Sequence, residues 1–196
     1  MKNTKQKRLE VPTAEQLRGE LNRVRYKNRF RSTLRSTIFT LVVVAAIAIL
    51  VATIWLPVLQ IYGASMSPTL QNGDIVVSVK TTDFQTGDML AFYYNNKILV
   101  KRVIAGPIDW VDIDADGTTY VNGEALTEPY VVELAYGDTN IELPYQVPDG
   151  KLFVMGDHRS SSVDSRNTAV GCVGQEQIVG KIVFRVWPLS AIGLLQ

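Results

Sequence analysis

Ile-Phe-Thr-Leu-Val-Val-Val-Ala-Ala-Ile-Ala-Ile-Leu-Val-Ala-Thr-Ile-Trp-Leu-Pro-Val-Leu, residues 38–59, is an apolar run interrupted only by Thr40, Thr53 and Pro57. It lies inside a longer stretch, 36–73, that carries no charged side chain. As a helix rising 1.5 Å per residue the run spans roughly 33 Å, enough to cross a hydrocarbon core of about 30 Å. A run this uniformly apolar has no polar face, which argues against a core helix of a soluble domain. It is also too long, and its leader too extended, for a cleaved signal peptide. Arg29, Arg31 and Arg35 stand just before it, and the next cation is Lys80. The positive-inside rule therefore predicts a cytoplasmic N-terminus and an extracytoplasmic C-terminal part. Trp55 is placed to anchor the outer interface, and Pro57 to bend or end the helix.

The charge distribution divides at the same place. Residues 1–36 hold 11 Lys+Arg and 3 Glu, a net of +8, and the rest of the chain is net −7, so the total of +1 hides two unlike ends. Within the basic tail, residues 13–35 read as a helix, with Thr13 and Gln16 as a capping box and Leu17, Leu21 and Val24 at helical spacing. Two readings of it stay open: a basic helix resting on anionic lipid, or a solvated tail that only sets topology. An apolar content of 46% is that of an ordinary globular protein. One Cys (Cys172) excludes a disulfide framework, and one His (His158) excludes a zinc held by two or three histidines. No metal and no cofactor is expected.

Beyond Gly73 the chain reads as short β-branched runs divided by turn signals: Ile75–Val79, Met89–Tyr94, 98–104, Trp110–Ile113, 118–121, Lys151–Met155 and 177–187, the last with a bulge at Gly180. Asn95-Asn96, Asp116-Gly117, Asn122-Gly123 and Pro148-Asp149-Gly150 supply the turns. The fold class expected is mainly β: one transmembrane helix, then an antiparallel β domain over 60–196. Asp112 to Gly117 fits half of a calcium loop, but position twelve is Gly123, so an acidic hairpin turn is the better reading.

Three features could carry chemistry. Gly63-Ala64-Ser65-Met66-Ser67-Pro68-Thr69 presents a hydroxyl, Ser65, between small residues a short way past the apolar run. Lys101 and Arg102 are adjacent cations in an apolar strand, and alternation puts one of them on the apolar face. An ordinary lysine is about 0.04% neutral at pH 7, so a lysine base must be buried to lose its proton. A neutral lysine can then deprotonate a serine. The loop from Met155 to Asn167 alternates Asp and Arg and is dense in hydroxyls, suited to brace a site and orient the base. A rival set pairs Ser65 with His158 and Asp157 or Asp164 as a triad. The apolar neighbours of Lys101 favour the lysine.

In this order, behind an outward-leading anchor, these segments resemble the type I signal peptidases, membrane-bound Ser-Lys endopeptidases. Gly63 to Thr69 is similar to their nucleophile box, Gly73-Asp74-Ile75-Val76-Val77 to the next strand, Lys101-Arg102-Val103 to the base box, and Gly156 to Arg166 to the last box. The resemblance implies Ser65 as nucleophile, with its backbone N–H as an oxyanion donor, and Lys101 as general base. It implies Ser162 as the hydroxyl bonded to that lysine. Asp157, Arg159, Asp164 and Arg166 would be supports, and Met66 and Pro68 would shape the nucleophile turn. It further implies a small β insert over about 107–147 of the reduced, Gram-positive type. The expected partners are the signal peptides of exported preproteins, with small residues at the first and third positions before the cut. The bilayer and the neighbourhood of the secretion translocon are expected too, and nucleic acid is not. Some members carry a Ser where this chain has Gly63, so a side-chain oxyanion donor is missing there. A self-cleaving Ser-Lys protease and an inactive membrane-tethered β module are the alternatives. Cys172 is expected to be a buried small hydrophobe.

Overall fold

The computed structural model describes residues 13–195, with backbone only for 52–55. The first twelve residues of the basic tail and the Trp55 side chain, expected at the outer interface, fall outside the described residues. The chain divides into two compact units, Met1–Val51 and Ala52–Gln196.

The described part of the first unit, after Thr13, is helical and belongs to α1, which runs Ala14–Trp55. Its N-terminus closes as the sequence suggests. Thr13 N–H donates to Gln16 Oε1 (3.0 Å), and Gln16 N–H donates back to Thr13 Oγ1 (3.4 Å). The basic segment and the apolar run were expected as separate elements; they are continuous, because no Gly or Pro interrupts the chain between Glu20 and Leu56. Thr37 and Thr40 return their hydroxyls to the carbonyls of Thr33 and Ser36 at 3.0 Å, which satisfies them where the helix turns apolar. Ile38, Phe39, Leu41, Val42, Val44, Ile47, Ile49 and Leu50 all stand exposed. The anchor ends sooner than the apolar run does. Leu56 precedes Pro57, which disfavours helix there, and β1 (Val58–Gln60) is a strand, not the end of the span.

The second unit is built from antiparallel sheets. The strands after β1 are β2 (Ile75–Val79), β3 (Met89–Tyr94), β4 (Lys97–Ala105), β5 (Trp110–Ile113), β6 (Thr119–Val121), β7 (Glu124–Ala125), β8 (Tyr145–Gln146), β9 (Lys151–Met155), β10 (Val173–Gly174), β11 (Ile178–Trp187) and β12 (Gly193–Leu194). The larger sheet runs β1-β2-β11-β3-β4-β9-β10, with β12 paired to β11. The smaller runs β7-β6-β5-β8, drawn wholly from the stretch between Trp110 and Gln146. Asn95-Asn96 closes the β3–β4 hairpin, Asn95 taking φ 52°. The pairing of β11 with β3 slips between Ile178 and Gly180, the bulge read at Gly180. Residues 175–177, the first two of which precede the expected last strand, form a 3-10 turn, so that strand starts at Ile178 instead of Gln177.

One feature of β4 matters most. It pairs with β3 over its first six residues, from Tyr94↔Lys97 to Met89↔Arg102. It pairs with β9 only from Arg102 onward. Its first half, Lys97 to Lys101, therefore keeps an open edge. Three apolar clusters hold the sheets. Ile61, Met66, Leu70, Val76, Met89 and Ile182 pack under the loop that carries Ser65. Leu90, Phe92, Val103, Val154 and Val173 fill the middle of the larger sheet. Ile104, Val111, Ile113, Val147, Phe153 and Met155 join the smaller sheet to β4 and β9. Cys172 packs half-buried against this last cluster, and burial pushes its thiol pKa up.

Candidate active site

Lys101 and Arg102 point from opposite faces of β4, yet both are buried, 3% and 1% exposed. An edge strand with two solvated cations is thus excluded. Each cation meets a different partner. Lys101 Nζ donates to Ser162 Oγ at 2.8 Å. Arg102 grips Asp157 with two hydrogen bonds, Nε to Oδ1 at 2.9 Å and Nη2 to Oδ2 at 2.7 Å. The Thr69 hydroxyl, four residues beyond Ser65, donates to Asp157 Oδ2 at 2.5 Å. The nucleophile loop, β4 and the last loop thus meet at one carboxylate.

Among the described residues no carboxylate contacts the lysine, and this governs its proton. Burial lowers its pKa from 10.5 to about 8; Asp164 pulls it up, Arg166 pushes it down and Asp157 pulls it up. At pH 7 the neutral fraction then rises from about 0.03% to about 9%. Asp164 stays ionised despite its burial: Arg166 and the Gly156 N–H bond it, and the Ser162 hydroxyl helps hold its pKa below the carboxylate range. Arg166 Nε and Nη2 reach Asp164 Oδ1 and Oδ2 at 2.8 and 2.9 Å.

Gly156 is the pivot of the site. A Cβ built on it would collide with Ser162 Oγ and would meet the Ser65 carbonyl oxygen at 2.5 Å. Only a glycine lets these two groups close on one point. The Ser65 carbonyl also accepts the His158 N–H at 3.1 Å, which ties the nucleophile loop to the last loop through backbone. Ser65 itself is half-buried. Its Oγ makes no hydrogen bond to Lys101 among the described residues, and its N–H donates to no protein group among them. Met66 is buried in the cluster below, 2% exposed, and Pro68 follows Ser67 in the turn. The Gly63 N–H is occupied by Asn72 Oδ1 at 3.0 Å.

The structure joins Lys101, Ser162, Asp157, Asp164 and Arg166, and it brings the Ser65 loop against them. It does not join the imidazole: His158 Nδ1 lies 2.9 Å from Ser161 Oγ, a local contact, and among the described residues no bond runs from the ring to the Ser65 side chain. Asp114 Oδ1 accepts the N–H groups of Asp116 and Thr118 and so braces the acidic turn. Two pairings escape the sequence reading. Asp157 pairs with Arg102 instead of a loop arginine, and Arg159 pairs with Glu128, 31 residues away. Tyr130 covers Arg102, its ring centroid 3.8 Å from Cζ.

A cleft of about 830 Å³ opens beside these groups, lined by Val58 to Gly63, Ser65, Met66 and Asn96 to Val100. It lies between β1 and the open half of β4 and is mostly apolar.

Residues 34–187 match the family described as "Signal peptidase, peptidase S26". The chain belongs to that family. It is similar to the signal peptidase IB of Staphylococcus aureus (strain COL), 40% identical over 150 residues, which covers 66% of this chain and 77% of that one. It is similar to the signal peptidase I of Bacillus licheniformis, 30% identical over 175 residues, covering 83% and 93% of the two chains. A solved signal peptidase I from Enterococcus faecalis V583 aligns with 50% of this chain and 96% of its own at 31% identity and a TM-score of 0.43. Membership makes the chain a membrane-anchored serine endopeptidase that cleaves signal peptides, and it disfavours the self-cleaving and inactive alternatives.

Proposed function

We propose that Ser65 is the nucleophile and Lys101 the general base of this peptidase. The observation that carries the reading is an amine that is 3% exposed, bonded to a hydroxyl, and seated where β4 leaves its open edge to the cleft containing Ser65. Neutral Lys101 takes the Ser65 proton as Oγ attacks the carbonyl carbon before the cut. The tetrahedral oxyanion is received by the Ser65 N–H. Collapse expels the new N-terminus, which leaves with a proton from the Lys101 ammonium. The acyl-enzyme is then hydrolysed by a water that Lys101 activates. Ser162 keeps the amine aimed, and Asp157, Asp164, Arg159 and Arg166 hold the loop that carries it. An absent Ser65–Lys101 bond does not oppose this, since catalytic contacts often tighten only when substrate binds.

Two strand edges border the cleft, one on β1 and one on the first half of β4, so an extended peptide fits there by adding as a strand. The shallow apolar lining around Ile61, Met66, Leu99 and Val100 suits small side chains near the cut. We place the N-terminus in the cytoplasm and the catalytic unit outside, on the strength of Arg29, Arg31 and Arg35 before the apolar run. α1 then spans the bilayer, and the enzyme works beside emerging preproteins, near the translocon. Sharing one membrane with the substrate raises its effective concentration.

The test is cleavage of an exported precursor by the detergent-solubilised full chain. Ser65→Ala and Lys101→Ala should each abolish it, and His158→Ala should retain it. Activity that survives Lys101→Ala and is lost in His158→Ala would replace the lysine with the triad. Protease protection of spheroplasts tests the orientation: external protease should reach the catalytic unit and spare the N-terminal tail.

A further inference from the structure

Three arginines of the site each face two ways. Arg102 holds Asp157 on one side and lies under the Tyr130 ring on the other. Arg159 Nε donates to the Gly156 carbonyl at 3.1 Å, while its Nη atoms form a two-point pair with Glu128 and Nη1 also reaches Thr119 Oγ1 at 3.1 Å. Arg166 grips Asp164 and sends Nη1 to the carbonyls of Ala135 and Tyr136, at 3.3 and 3.0 Å. At Gly137 a Cβ would strike this same guanidinium. Apart from Thr119 at the start of β6, these partners on the far side come from one segment, 128–136, between β7 and β8. That segment is knit to itself, since the Tyr130 hydroxyl donates to Glu128 Oε1 at 3.0 Å. Burial, then the Glu128 charge, pushes the Tyr130 pKa far up, so the phenol remains a donor.

We propose that Glu128 and Tyr130 are positioning residues of the peptidase reaction, which clamp Arg159 and Arg102 from the insert side so that Gly156 and Asp157 stay in register with Lys101. The proposal rests on the Ser65–Lys101 reading above. The chain of cause is short. Glu128 neutralises a wholly buried arginine, and that arginine holds the Gly156 carbonyl. Gly156 is the point on which Ser162 Oγ and the Ser65 carbonyl close. If Glu128 lets go, an unpaired buried guanidinium must find water or move, and the closure at Gly156 opens. Tyr130 excludes water from Arg102 and so protects its bonds to Asp157. A displacement of about 1 Å at such a point costs about 100-fold in rate. Loosening also wets Lys101. The charged groups that act on it are Asp164, Arg166 and Asp157, and β3 offers only Leu90 across the strand. Admitted water weakens the burial that keeps the amine neutral.

The experiment compares Glu128→Gln, Tyr130→Leu and Tyr130→Phe with wild type, Ser65→Ala and Lys101→Ala. It measures kcat/KM for a precursor peptide from pH 6 to 11, per folded molecule as judged by thermal melting. Glu128→Gln and Tyr130→Leu should lose about 10- to 100-fold. Their acid limb should move to higher pH, toward an ordinary lysine. Tyr130→Phe keeps the ring over Arg102 and should stay within about threefold. If Glu128→Gln fails to fold, Tyr130→Leu carries the test. The proposal is overturned if the two damaging variants only lower the melting temperature, with kcat/KM and the limb unmoved. In that case loss of activity in Ser65→Ala and Lys101→Ala leaves the catalytic reading standing. Activity retained in those two overturns both.

Discussion

β4 is two strands in one. Its first half, Lys97 to Lys101, pairs on one side only, and Lys97 to Val100 border the cleft. Its second half, from Arg102, is closed by β9, while on the other side Arg102 pairs with Met89 of β3 and Val103 bonds the backbone of Gly87 and Asp88 just before it. The boundary falls between two adjacent buried cations, and they are treated oppositely. Arg102 receives a carboxylate, two charge-assisted bonds and an aromatic ring. Lys101 receives a hydroxyl. A guanidinium cannot be deprotonated at physiological pH, so its burial requires an anion. An amine can surrender its proton, so its burial without a contacting anion produces a base. Which cation stands on which side of the boundary therefore separates support from catalysis.

The comparison can be broken in order of effect. Lys101→Arg puts a permanent cation at the open edge and should remove cleavage by about 10⁴-fold or more, in a precursor assay, as expected when a base is lost. Asp157→Asn strips the anion from Arg102 and should destabilise the fold by about 3–5 kcal/mol, read by denaturant unfolding of the solubilised protein. Lys101→Met should do the reverse. Because its folded pKa lies below the unfolded value, the lysine destabilises the fold at neutral pH, and this cost disappears as pH rises from about 8 to 10.5. The methionine variant should thus be inactive and about 3 kcal/mol more stable at pH 7, with the gain vanishing above pH 10.5. Asp164→Asn is the finest probe. It removes the charge that most raises Lys101, so the acid limb of kcat/KM should shift below pH 8, with a reduced plateau because Arg166 loses its partner.

What was readable in the sequence follows from range. The apolar run declared itself through length alone, and the turns at Asn95-Asn96 and Asn122-Gly123 through residues that accept positive φ. The apolar run outlasts α1, since such a run does not by itself distinguish helix from strand; Val58 to Gln60 belong to β1, and Pro57, read as a bend or end of the helix, divides the two. Alternation told that Lys101 and Arg102 face apart. It could not tell that both are buried, because that depends on β9, 50 residues on, closing only half the strand. Ser162, Asp164 and Arg166 were visible as a motif by resemblance. Glu128 and Tyr130 were not, since a short Thr-Glu-Pro-Tyr turn looks like any polar loop until two arginines from elsewhere, Arg102 and Arg159, fold against it.

The account stands on the titration of one amine. Trace acetylation of the folded, solubilised protein from pH 5 to 11, with the Lys101 peptide quantified by mass spectrometry, measures it directly. A reactivity midpoint near pH 8 is the expected result. A midpoint near 10.4, that of an unperturbed lysine, would contradict it.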